Sequence, residues 1–277
     1  MTTRRLAALV GVLALIAYLG TTSTISAFIA RLNNTGNTIS SSGPSCHSVP
    51  LADGATRLYP LNESTGLVAY DESSNHATGT YQGGRQSQSQ VEYPCVREQD
   101  WYANLDQTHW VSTPGTYSIA PGSSTSQEAW FNSYNNQGVI CGFGSTQTAQ
   151  SSTKTNLLAL NTSGDLLFLV QGASTTYELV SPFAYSDGGW HNVIAVHDAS
   201  YGIKVYLDGA LLMQQAGAHP AAMTGYFRIG YENTNGFTNG FGTNQSLAHW
   251  WGSMAFVSFY PFALSASQAA QHYQVGA

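Results

Sequence analysis

From Ala55 onward the chain alternates between short apolar runs and polar turns. The clearest runs are 57–61, 110–112, 127–134, 138–143, 156–160, 166–170, 190–197, 203–207, 210–214, 226–230 and 251–260. They are rich in Tyr, Val, Ile, Phe, Leu and Trp, and Gly, Ser, Asn and Asp separate them. That is the spacing of β-strands in a sandwich or barrel. Ile203, Val205 and Leu207 alternate with Lys204, Tyr206 and Asp208, the period of a half-buried strand. Asp208-Gly209 then supplies two residues that tolerate positive φ, as a type I′ hairpin turn requires. No amphipathic helix of three turns interrupts the runs, which excludes a parallel α/β fold. Near the C-terminus, Ser265-Ala266-Ser267-Gln268 matches a capping box and predicts one short helix through Val275.

The N-terminus has a different pattern. Arg4 and Arg5 precede an apolar run from Leu6 to Leu19. A basic start followed by such a run is the signal-peptide pattern, and the run is short of the roughly 20 residues of a spanning helix. No clean Ala-x-Ala site follows, so residues 1–30 are expected to form a hydrophobic helix serving as signal peptide or membrane anchor. Residues 31–54 are small and polar and read as a lead-in to a domain over 55–277. The stretch 27–43 resembles the start of exported bacterial surface proteins. The protein is therefore expected to be exported, either secreted or anchored to the outer face of the cytoplasmic membrane, with membrane contact only through this segment.

Composition narrows the partners. Only 9% of the 277 residues are charged, against roughly 25% in an average soluble domain. Nine basic and fifteen acidic residues leave a net charge of −6, which excludes a nucleic-acid partner held through phosphate contacts. Export makes a disulfide feasible among the three cysteines. Cys46 with Cys95 is the expected pair, closing the lead-in onto the domain; pairing of Cys141 with either is the alternative. Cys141 lies in an apolar run and reads as a buried small hydrophobe.

Several segments resemble laminin G-like (LamG) domains of the concanavalin A-like lectin/glucanase superfamily. Asp187-Gly188-Gly189-Trp190-His191-Asn192-Val193, running into Ile203–Gly209, is similar to their central signature. The Leu58–Glu63 and Tyr70–Asn75 segments resemble the first strand and the Asp-x-Ser-x-Asn loop. Glu128-Ala129-Trp130-Phe131 and Trp251–Val257 resemble an inner and the closing strand. The resemblance implies an all-β, two-sheet antiparallel jelly-roll sandwich. Trp190 and Trp251 are expected in its core, and His191 on a strand surface.

Chemistry is sparse. Hydrolysis of a glycoside requires two carboxylates at short, defined separation, and no Glu-x-Asp-x-x-Glu cluster occurs. There is no Gly-x-Ser-x-Gly elbow and no His-Glu-x-x-His. No catalytic residue is assigned. The resemblance implies a calcium site through Asp71 and Asn75, whose oxygens are suitable ligands. Ala255 and Phe256 stand where relatives often carry two acidic residues, which favours Asp71 and Asn75 serving their own loop, with no cofactor. The remaining candidates are aromatic. Residues 231–251 place Tyr231, Phe237, Phe241 and Trp250 among Asn, Thr and Gln. Sugar rings offer C–H faces to aromatics and hydroxyls to amides, so these four are the expected ligand-binding residues. Two functions follow: a non-catalytic extracellular recognition module for a glycan or cell-surface protein, or a structural, adhesive surface protein without a small ligand.

Overall fold

The computed structural model describes residues 33–34, 37–38, 43–83, 87–89, 93–134, 137–241, 244 and 248–277. The expected hydrophobic helix over 1–30 lies outside the described residues. The chain divides into Met1–Gly43 and Pro44–Ala277. In the first unit Asn33–Asn34 pairs antiparallel with Asn37–Thr38. The second unit is a β-sandwich.

One sheet runs in the order Ala210–Ala216, Gly202–Leu207, Asp187–Asp198, Thr125–Tyr134, Trp251–Tyr260, Tyr102–Asp106, Ser87–Ser89, and Arg57–Tyr59 also pairs with Trp251–Tyr260. The other runs Thr176–Ala184, Asp165–Gln171, Lys154–Leu160, Gly138–Gly144, Met223–Ile229, Trp110–Ser112, Gly79–Gln82, Val68–Ala69, with Tyr117–Ile119 also on Met223–Ile229. The neighbouring strands pair antiparallel. Between the sheets lie the inward residues of both, including Phe131, Phe143, Phe168, Phe227 and Phe259. Phe143 meets Phe227 and Phe259 at 5.3 and 5.2 Å between ring centroids. Ile203, Val205 and Leu207 all join this core, as their alternation predicts.

The Asp208-Gly209 turn has φ of 50° and 77°, and Leu207 pairs directly with Ala210. Ser265 caps the C-terminal helix Ala266–Gly276 with both halves of the capping box formed. Strands over 79–82, 102–106, 117–119 and 176–184 were not evident in the sequence pattern. Tyr102–Asp106 carries Asn and Asp on its outer face, and Thr176–Ala184 is an edge strand interrupted by Pro182, which only an edge tolerates.

The sandwich unit begins before Ala55, because residues 44–54 pack onto it. A short helix, Ser48–Ala52, sits there. Cys46 is disulfide-bonded to Cys95, and Cys141 is free and buried, its thiol pushed up by burial.

Candidate functional site

Each sheet has an outer face, and the two are covered differently. The outer face of the second sheet is roofed by the segment after Ile229. Tyr231, Phe237 and Phe241 are 5%, 5% and 9% exposed and pack on Trp110, Val139, Leu157 and Leu167. Tyr231 stacks on His249 with centroids 3.9 Å apart. The Glu178 carboxylate accepts the backbone N–H groups of Thr238 and Asn239 at 2.7 and 2.8 Å, tying the segment to an edge strand. Beneath it, buried Arg228 pairs with Glu232 at 2.9 Å and lies over the Trp110 ring.

This corrects the expectation for the four aromatics. Trp250 is fully buried in the inter-sheet core, edge-on to Phe131, and the other three form the roof. None presents a ring to solvent, because an uncovered apolar sheet face requires just such a cover. Two further expectations are corrected. Trp251 is 45% exposed, since alternation along its strand sends it away from Trp250. Trp190 is half-buried on the outer face of the first sheet, edge-on to Tyr102 at 5.0 Å. His191 is mostly buried rather than a surface residue. Its ring nitrogens lie 2.8 Å from Asp208 and 3.2 Å from Asp187. Burial opposes its charge, but the two carboxylates outweigh that and raise its pKa.

The outer face of the first sheet is closed over one half only. There Trp130 lies stacked with Tyr273 of the C-terminal helix, and the disulfide packs beside it. Buried Glu128 accepts from Tyr260 Oη at 2.8 Å and Asn192 Nδ2 at 2.9 Å, and its carboxylate meets His272 Nδ1 at 2.8 Å. His272 Nε2 reaches Asp53 at 3.0 Å. Burial opposes the His272 charge, but the flanking carboxylates raise its pKa to about 9. His47 is built the same way, with Nε2 2.9 Å from Glu72, Nδ1 3.0 Å from Glu98 and a pKa again raised to about 9. Two histidine clasps and a disulfide thus fasten residues 44–54.

The other half is open, and the register lays it out in transverse rows. Trp190 pairs with Asn132, Asn132 with Ser253, and Ser253 with Asn104. All four are at least partly exposed. Neighbouring inward residues, Phe131, Met254, Ala103 and Leu105, are in the core, so alternation puts this row on the outer face. One row further out, Asp187 pairs with Tyr134, and Trp251 with Asp106. Two residues beyond the Asn132–Ser253 pair, Tyr134 comes opposite Trp251. Their strands stay joined there, Ser133 Oγ donating to the Trp251 carbonyl at 3.3 Å. Tyr134 is 68% exposed.

The rows are held in place by their surroundings. Asn132 Nδ2 donates to the Gly188 carbonyl at 2.6 Å. Gly188, at φ 86°, leaves room for Tyr134: a Cβ there would lie 3.2 Å from the Tyr134 ring. Asp106 accepts from the Thr108 hydroxyl at 2.7 Å and faces His109. Partial burial works against its charge, but these bonds prevail and hold its carboxyl below the usual range. Asp187 is lowered chiefly by the Gly189 N–H, at 2.8 Å. The open half therefore presents two aromatic rings with the Asp106 carboxylate at one end and the Asp187–His191 pair at the other, beside a row of amides, a hydroxyl and an indole. Sequence reasoning named none of these as ligands, because they are scattered over four strands and only register gathers them.

Asp71 and Asn75 serve their own loop. Asp71 accepts from the backbone N–H groups of Leu58, Ser73 and Ala77 and from Ser73 Oγ, each at 2.9 Å. Asn75 donates to the Thr56 carbonyl.

A laminin G-like family model, described as the Concanavalin A-like lectin/glucanases superfamily, matches residues 105–270, and the chain belongs to this superfamily. No curated protein matches it. Similar solved structures include domain 4 of AbnA, a GH43 extracellular arabinanase from Geobacillus stearothermophilus, in complex with arabinotriose. That similarity is 16% in sequence with a TM-score of 0.56, over 79% of this chain and 98% of that one. The binding domain of Paraclostridial Mosquitocidal Protein 1 aligns at 10% identity and TM-score 0.58, over 80% of this chain and 52% of that one. The botulinum neurotoxin serotype D ligand binding domain in complex with N-acetylneuraminic acid aligns at 14% and 0.53, over 81% and 51%. The chain thus spans about half the length of the latter two. At these identities the likeness is one of fold.

Proposed function

We propose that the protein is a non-catalytic extracellular recognition module that binds carbohydrate on the open half of the first sheet. The observation that carries this reading is the exposed Tyr134–Trp251 pair beside the Trp190–Asn132–Ser253–Asn104 row. Aromatic faces take the C–H faces of sugars, and the amides and hydroxyl take sugar hydroxyls. Binding domains with this fold among the similar structures, one holding arabinotriose, support the reading. The disulfide supports an oxidising, extracellular setting.

Catalysis is not part of the proposal. Asp187 and Asp106 stand at opposite ends of their row, three strand spacings or roughly 14 Å apart. Paired glycosidase carboxylates sit about 5–9.5 Å apart. Glu128 is sealed under the C-terminal helix. The test is binding of the purified protein to a glycan array, alongside Trp251→Ala and Tyr134→Ala. Binding is expected and is lost in both variants with unchanged melting temperature. A binder whose variants retain full affinity contradicts the assignment.

A second reading has its own observation. Phe183 is 70% exposed on the edge strand of one sheet, and Leu211 is 47% exposed on the edge strand of the other. Exposed apolar edges suit self-association or a protein partner, as in a structural, adhesive surface protein. Concentration-dependent oligomers by sedimentation, abolished by Phe183→Ser, would support it.

A further inference from the structure

The open half has a length and a charge pattern as well as an aromatic pair, and both bear on the kind of sugar it takes. Its two rows each cross four strands, roughly 14 Å at the usual strand spacing, which is longer than one sugar ring. Their contents change across that length: stacking surface at Tyr134 and Trp251, hydroxyl-reading groups at Asn132 and Asn104. Asp106 stands at one end of the outer row and the Asp187–His191 pair at the other. Asp187 is fixed by the Gly189 N–H and His191, and Asp106 by Thr108 and His109.

Among the described residues, the lysines and arginines are committed elsewhere. Arg57 donates to the Thr56 carbonyl and lies over the Tyr117 ring. Arg97 donates to the Pro44 carbonyl. Lys204 pairs with Asp198 in the first sheet, and Arg228 pairs with Glu232 under the roof of the second sheet. Lys154 is buried in the second sheet. A sugar acid brought to the open half would meet the Asp106 carboxylate and the Asp187–His191 pair, and none of these lysines and arginines.

We infer that the ligand is an uncharged oligosaccharide of several units lying across the strands from the Asp187 end to the Asp106 end, and that sugar acids are rejected. This rests on the carbohydrate reading of the same face.

The test is titration calorimetry on the full chain with neutral arabino- and gluco-oligosaccharides from mono- to hexasaccharide. Sialyllactose and oligogalacturonates of matched length serve as the anionic probes. Affinity for a neutral series is expected to rise roughly tenfold or more from mono- to tetrasaccharide and then level. Anionic probes of equal length are expected to bind roughly tenfold more weakly or not at all, with Asp106→Asn plus Asp187→Asn narrowing that gap. If an anionic probe binds as tightly as its neutral counterpart, or a monosaccharide as tightly as a tetrasaccharide, while Trp251→Ala still abolishes binding, the inference falls and the carbohydrate reading stands. If no probe of either series binds, or Trp251→Ala binds normally, the carbohydrate reading falls with it.

Discussion

Along the outer face of the first sheet, the half under the C-terminal helix is sealed and the half around Trp251 is open. Both halves hold an indole, amides and carboxylates. In the sealed half every such group is answered from within the protein: Trp130 by Tyr273, and Glu128 by His272, Tyr260 and Asn192. In the open half Trp251 and Tyr134 keep much of their surface in solvent. The comparison separates aromatic rings closed inside the fold from rings that keep surface in solvent. The outer face of the second sheet over Trp110, Val139, Leu157 and Leu167, roofed by Tyr231, Phe237 and Phe241, stands with the sealed half.

Changes on the sealed side should damage stability and leave binding by folded protein intact. The largest effect is expected for Phe237→Ala, a loss of about 3–5 kcal/mol in denaturant unfolding, as for deletion of a buried aromatic. Glu128→Ala should cost about 3–5 kcal/mol, because it strips one of two carboxylates from buried His272 and the acceptor from Tyr260 and Asn192. Replacing Cys46 and Cys95 by Ser should cost about 2–4 kcal/mol by freeing the loop between them. Equal losses of binding by correctly folded Phe237→Ala protein would erase the distinction between the two regions.

On the open side the order reverses. Trp251→Ala should weaken glycan binding by about 2 kcal/mol or more, as for an aromatic anchor, while unfolding stability shifts by no more than about 0.5 kcal/mol. The last prediction concerns pH. The pKa values of His47 and His272 are raised from 6.5 to about 9 by their paired carboxylates. The stability they contribute is therefore complete below pH 6.5 and lost as pH rises through about 9. Melting temperature should fall over that window, and His47→Asn or His272→Asn should flatten the fall. An unchanged slope in both variants would remove the clasps from the account.

How much of this the sequence carried depends on the range of the interaction. The type I′ turn at Asp208-Gly209, the capping box at Ser265 and the alternation of 203–207 are local, and each was legible. The sandwich was legible too, through its strand spacing and its family motifs. Register was not. Trp250 and Trp251 are adjacent and chemically alike, and a one-residue shift exchanges core for solvent. Irregularities between Glu128 and Trp130, and Phe256 at φ 49°, set that shift without a sequence signal. Composition could not decide the 231–250 segment either: aromatics with amides describe a ligand site and a roof equally well. The sealed cluster joins Asp53, Glu128 and His272 across separations of 144 and 219 residues, beyond the reach of any local pattern.

The most direct measurement compares Trp251→Ala with Phe237→Ala in one experiment, recording calorimetric affinity for the best neutral oligosaccharide and unfolding stability on the same samples. Trp251→Ala is expected to lose binding and keep stability, while Phe237→Ala loses stability and keeps binding when folded. The opposite pairing would return the binding site to the aromatic segment over the second sheet and contradict the account.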